Sequence, residues 1–261
     1  MEASIREEER REARKHQELY QADKPVALGL KPMDWLRFDS DQPSLNSYVA
    51  SVRALGDIAG KRVLDFGCGD GWLSVILAKR GAIVDGFDIS SEAIKTAVAR
   101  AKANALTDRC HFFVASGYSL PLGDNSYSHV VGQSILHHLS HKEVLARELA
   151  RIVKPGGIAV FSEPFGNSLW LERLRLMVPV ASQAPEDPDE WEHQFKYKDV
   201  LDFQGFTGTA TEFQLLSRLD RVFPARRLVQ WLNRLDGWLL SHVGFLRPYA
   251  REVMVKLIRQ G

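Results

Sequence analysis

Cysteine is scarce in this chain. Its 261 residues hold two, Cys68 and Cys110, too few for a disulfide framework, so a reducing compartment, the cytoplasm, is the expected setting. An excess of one charge is missing as well. Lys and Arg number 34 against 33 Asp and Glu, a net charge of +1, which leaves no electrostatic case for nucleic acid as a partner. No uncharged apolar run reaches the roughly 18 residues that a membrane span needs. The opening MEASIREEERREARK has no apolar middle and does not read as a signal peptide. Metal-ligand spacing is absent too. His137 and His141 straddle an expected helix start and lack a third ligand, so no metal is expected. There is no internal repeat and no low-complexity tract.

What is present is ordinary in amount and ordered in arrangement. Hydrophobic residues make up 45% and charged ones 26%, as in soluble globular proteins, and a chain this long buries roughly 70% of its unfolded surface. Residues 4–20 are rich in Glu, Arg and Ala and read as a solvated helix. A second helix is expected from Asp41-Gln42-Pro43 to about Leu55. Strands and helices then alternate. Strands are expected at 62–66, 82–87, 111–115, 129–132 and 158–162. Helices are expected at 72–80, at 91–104 behind a Ser90 cap, and from a Ser140–Glu143 capping box to about Val153, stopped by Pro155-Gly156-Gly157. This alternation predicts an α/β fold with a doubly wound, mostly parallel sheet, and a ligand at the carboxyl ends of its strands.

The most telling stretch is VLDFGCGDGW, Val63 to Trp72. It reads as a buried strand, a glycine turn and a helix start. Gly67, Gly69 and Gly71 let the backbone approach a nucleoside ligand. A dinucleotide fingerprint needs a third glycine where Trp72 stands, and the Asp65 carboxylate would repel a pyrophosphate. That carboxylate suits an ammonium group instead. Asp88 closes the second strand, seventeen residues after Gly71. A carboxylate there can accept both hydroxyls of a ribose diol, or serve only the following helix N-terminus.

An acidic residue followed by G-x-G-x-G resembles the first motif of the class I S-adenosylmethionine-dependent methyltransferases. Leu120-Pro121, Asp124, Ser126, the Ile135-Leu136-His137-His138-Leu139 run, Lys154-Pro155-Gly156-Gly157 and Ser162-Glu163-Pro164 extend the likeness over residues 60–165. They are similar to the type 11 methyltransferase domains of ubiquinone and menaquinone biosynthesis. The resemblance implies a Rossmann-like, seven-stranded sheet whose last two strands are antiparallel. It implies S-adenosylmethionine as cofactor and S-adenosylhomocysteine as product. Ile89 would pack on adenine, Ser116 and the Gly117 backbone would meet the adenine edge, and Gln133 would lie by the methionine part. Ser116 and Ser128 stand where relatives carry Asp, and a hydroxyl is the weaker acceptor.

Methyl transfer from a sulfonium is a direct displacement that depends on alignment. It needs a base only where the acceptor must lose a proton. The candidate bases are His138, His137 and His193, of which the first two can instead serve the helix start and the third can be a solvated loop residue.

The remaining third of the chain reads differently. A helix at 169–177 precedes an acidic loop at 181–193, a short helix at 197–203 and a strand at 209–215. Residues 252–258 alternate like a final strand. Leu228, Trp231, Leu232, Leu235, Trp238 and Leu239 recur at helical spacing. They predict a cap helix that packs on the domain and lines an apolar pocket, or one that touches lipid. The expected plan is an N-terminal helical extension (1–56), an α/β core (57–215), a helical cap (216–247) and a returning strand (248–261). The expected function is O-methylation of a small molecule with apolar surface, the alternative a non-catalytic cofactor-binding subunit. Homo-oligomerisation stays open.

Overall fold

The computed structural model describes residues 1–21, 28–29, 46–165, 195–201, 203–217 and 226–261. Two helices, α1 (Glu2–Gln21) and α2 (Asn46–Ala54), precede the sheet. The core then runs β1 (Arg62–Phe66), α3 (Trp72–Lys79), β2 (Ile83–Asp88), α4 (Ser91–Ala103), β3 (Cys110–Val114), β4 (Tyr127–Gln133), α5 (Lys142–Ile152) and β5 (Val153–Pro164). After these come α6 (Tyr197–Leu201), β6 (Phe206–Phe213), α7 (Arg226–His242) and β7 (Glu252–Arg259). The sheet order is β3-β2-β1-β4-β5-β7-β6. The first five strands are parallel, and β7 lies antiparallel between β5 and β6. This is the doubly wound sheet the alternation predicts, ended by an antiparallel pair.

Both faces of the central strands are covered, so they read as near-continuous apolar runs. Successive side chains point to opposite faces. Leu64, Val130 and Phe161 enter one core with Leu145, Leu149 and Ile152 of α5. Val63, Val131 and Val160 enter the other with Val75 and Ile76 of α3 and Val49 and Val52 of α2. The chain leaves β1 towards β2 and β3, then returns to place β4 on the other side. The carboxyl ends of β1 and β4 therefore part at a topological switch point, where such sheets hold ligands.

Several local expectations are met and several corrected. Ser90 caps α4, its Oγ accepting from the Ala93 N–H at 3.3 Å. The Ser140–Glu143 capping box does not form. His141 occupies the cap position of α5 without a side-chain cap, because the Ser140 hydroxyl and N–H are both taken by the Glu8 carboxylate of α1. The Pro155-Gly156-Gly157 run is part of β5 rather than a break before it. The register against β4 shifts there, from Tyr127 opposite Val153 to His129 opposite Ile158.

The N-terminal helix is not solvated on all sides. Glu8 is buried and accepts a 2.6 Å hydrogen bond from the Tyr118 hydroxyl, which seats α1 against the core. The cap helix is turned from its expected face. Trp231 and Trp238 are 58% and 55% exposed, while Leu232, Asp236 and Leu240 are buried. Asp236 causes the turn. Its carboxylate accepts the N–H groups of Leu215, Leu216 and Ser217 just after β6. Bringing it inward rotates the face by about one residue step, ~100°. Trp238 instead stacks on His242. The expected helix at 169–177 and the acidic loop with His193 lie outside the described residues. Among the described residues no helix is long and apolar enough to cross a membrane.

Candidate active site

At the carboxyl end of β1 the chain turns through Gly67, Gly69 and Gly71 with φ of 70°, 52° and 76°. These left-handed values favour glycine. Space is as tight as conformation. A Cβ on Gly67 would stand 2.6 Å from Ile135 Cγ1, and one on Gly71 would stand 2.9 Å from the Ala97 Cα of α4. The turn is held by β2. The Phe87 carbonyl accepts the Cys68 N–H at 2.8 Å, and Asp88 Oδ2 accepts the Gly69 N–H at 3.0 Å. The other Asp88 oxygen accepts the Ser90 N–H at 2.9 Å. Arg100 of α4 steadies the far end by donating to the Asp70 carbonyl at 2.9 Å and pairing with its carboxylate.

Two cavities meet at Gly67. One, about 530 Å³, is polar and is lined by Asp65, Gly69, Asp70, Gln133 and Tyr48 of α2. The other, about 500 Å³, is floored by Phe66, Phe87, Ile89 and Ile135 and edged by Asp88, Ser116, Gly117 and His138. Helix α1 adds Glu8, Glu12 and His16 to its wall.

The electrostatics of the two differ. Asp65 is 1% exposed. Burial pushes its carboxyl up to about 7, and the charges of Asp88 and Asp70 push the same way. A 2.5 Å hydrogen bond from the Ser74 hydroxyl opposes that shift without cancelling it. Gln133 Nε2, in the same cavity, is buried without a hydrogen bond. Burial also pushes the Cys68 thiol well above its usual range and the Cys110 thiol up to about 12. Neither is an activated nucleophile.

The sequence-derived candidates are thus brought together, apart from two histidines. Asp65, Gly67, Gly69 and Gln133 line the polar cavity. Asp88, Ile89, Ser116, Gly117 and His138 line the apolar one, and Gly71 closes the turn onto α4. Ser116 also accepts the Tyr118 N–H at 3.1 Å. His137 faces away from both cavities. Its Nδ1 lies 2.8 Å from Glu163 Oε2, and Glu163 also accepts the N–H groups of Ile135 and Leu136. Burial pushes the Glu163 carboxyl up, but the His137 bond and these N–H groups bring it below the usual range. His137 therefore shapes the turn that presents His138. His193 lies outside the described residues.

A family model described as a methyltransferase domain (Methyltransf_11) matches residues 64–161, the stretch that builds this cleft. Residues 64–161 carry a methyltransferase domain. The chain is 35% identical to a 2-methyl-6-phytyl-1,4-hydroquinone methyltransferase of Synechocystis over 77% of this chain and 64% of the relative. It is 28% identical to a fatty-acid O-methyltransferase of Mycolicibacterium smegmatis over 82% of this chain and 72% of the relative. For most of the first curated relatives the match spans less than two thirds of their length, down to 36%. The fold is similar to that of geranyl diphosphate C-methyltransferase from Streptomyces coelicolor. The TM-score is 0.60 at 15% identity, covering 97% of this chain and 98% of the other. That structure holds Mg2+, geranyl diphosphate and S-adenosylhomocysteine.

Sequence reasoning missed the residues of the methyltransferase domain's cover, Tyr48, Glu8, Glu12 and His16. Glu12 and His16 did carry a signal, since positions four apart share a helix face. Tyr48 carried none. Nor did spacing reveal that Glu12, His16 and His138 converge, with one ligand atom of each within 4.8 Å of the others.

Proposed function

We propose that the protein transfers a methyl group from S-adenosylmethionine to a small molecule with apolar surface, with oxygen the favoured acceptor atom. The observation that carries this reading is the pair of cavities joined at Gly67, one polar and ending on Asp65, the other apolar and edged by Asp88. The donor set fits the cofactor. Asp65 would take the ammonium, which returns a buried carboxylate to its charged state. The unpartnered Gln133 amide would serve the same amino-acid tail. Asp88 keeps lone pairs for the ribose diol while its oxygens hold Gly69 and Ser90. Ile89 and Phe87 would flank adenine, with Ser116 and Gly117 at its edge. Bound there, the cofactor supplies an activated methyl on a sulfonium.

The chain's own contribution is alignment and exclusion of water. His138 is the proposed histidine that reaches the cleft, where it can hold or move a proton. A fatty acid and a phytyl hydroquinone, the substrates named for two relatives, share a long apolar part beside oxygen, which supports an acceptor of that kind. The exposed Trp231 and Trp238 on α7, with Arg227 and Arg234 also exposed, fit weak peripheral contact with lipid.

The test is calorimetric titration with S-adenosylhomocysteine, followed by assay of its release from S-adenosylmethionine with long-chain fatty acids and prenylated phenols. Tight binding with turnover supports the proposal. Binding without turnover on any acceptor favours a non-catalytic subunit, and absence of binding overturns the cofactor assignment.

A further inference from the structure

We propose that Glu12, His16 and His138 form a site for a divalent first-row transition metal, zinc in the first instance, which fastens α1 across the cleft. This goes beyond methyl transfer and stands on a different set of side chains from the glycine turn; with metal bound, His138 would serve as a ligand in place of its proposed proton role. The three donors come from two elements. Glu12 and His16 sit one turn apart on one face of α1, the i, i+4 arrangement in which a helix presents a pair of ligands. His138 stands on the turn after β4, which Glu163 holds rigid through the His137 ring and three backbone N–H groups.

Their ligand atoms already lie within 4.8 Å of one another. Tetrahedral zinc with bonds of about 2.0–2.2 Å needs donors roughly 3.4 Å apart, so small side-chain rotations close the site. Glu12 Oε2 lies 3.3 Å from His138 Nδ1 and 4.0 Å from His16 Nε2. Glu12 Oε2 is buried and has no hydrogen bond of good geometry beyond its ion pair with His138, so its charge is available to a bound cation. Two imidazoles and one carboxylate select zinc or its neighbours over magnesium and calcium, which prefer all-oxygen shells. Three protein ligands leave a fourth position open, and all three residues wall the apolar cavity.

The mechanical consequence follows from where the ligands sit. Helix α1 is already tied through Glu8 to Tyr118 and Ser140. One turn further on, a metal would add a second tie, from α1 to the β4 turn. Metal binding would thus order the cover of the cleft.

The experiment uses the full chain, stripped with a chelator and dialysed, then titrated with Co2+ as a spectroscopic probe and with Zn2+ by calorimetry. One equivalent per chain is expected, with the visible absorption of a low-coordinate cobalt site. His16→Asn, Glu12→Gln and His138→Asn should each abolish that band, and His242→Ala, on the exposed face of α7, should keep it. Zinc should slow amide exchange in α1 by about tenfold or more, as a ligand that binds only the docked helix must. Far-UV dichroism of each variant against the stripped wild type checks the fold. No cobalt band, a band unchanged in His16→Asn and Glu12→Gln, or zinc binding that leaves α1 exchange unchanged would overturn the proposal. S-adenosylhomocysteine titration of the same samples keeps this separate from the functional reading, since either can fail alone.

Discussion

The two carboxylates that mark the ends of the cleft have opposite histories. Asp88 is already employed, accepting backbone N–H groups from Gly69 and Ser90 and so holding the glycine turn in shape. Among the described residues Asp65 accepts from Ser74 alone, through its hydroxyl and its backbone N–H, and sits in a place where burial works against its charge. One builds the site and keeps spare lone pairs. The other has its carboxyl pushed up by burial, and the proposed ammonium would ionise it. A buried carboxylate whose charge burial opposes is unfavourable for folding, and the proposed ligand would relieve it.

The strongest way to break the contrast is Asp65→Asn. S-adenosylhomocysteine affinity should fall by more than about a hundredfold, as expected when one partner of a buried pair is lost. Stability should move the other way. The folded carboxyl titrates at about 7, above its ordinary value, so its contribution is present at low pH and is lost as pH rises through about 7. Asparagine avoids that loss, and at pH 8 denaturant unfolding should show a gain on the order of 2 kcal/mol. Asp88→Asn should weaken the same ligand by roughly tenfold to a hundredfold. It should also cost about 1 kcal/mol of stability, because an amide has one acceptor for two N–H groups. A stability gain at Asp88 would erase the distinction between the two ends.

Titration by pH sharpens it. The ammonium needs an ionised Asp65, so affinity should fall about tenfold per unit as pH drops below about 7. Calorimetry on Asp65→Asn should give a flatter profile. The smallest effect belongs to the Asp88 end. Ser116→Ala should weaken binding by roughly fivefold, the worth of one neutral hydrogen bond. An unchanged affinity would remove Ser116 from the adenine contacts.

Much of the fold was legible because its signals are local. Strand runs such as Val63–Phe66, the Ser90 cap and the left-handed glycines each follow from a few neighbouring residues. Asp88 was legible because the distance from a glycine turn to the end of the next strand is set by one helix. The failures share another cause. The Ser140 cap was claimed by Glu8, 132 residues away. The α7 face was turned by Asp236, whose partners follow β6. Helix α1 read as solvated because the partners of Glu8 lie across the chain.

The order of strands, the glycine turn and its acidic neighbours were written in the amino-acid sequence, since steric limits and burial patterns act over a few residues. Only the tertiary structure decided that burial opposes the charge of Asp65. It alone turned His137 inward and His138 outward, and it brought Glu12 and His16 to that histidine. Those outcomes depend on which distant groups reach a buried polar atom first, and spacing along a chain carries no record of that competition.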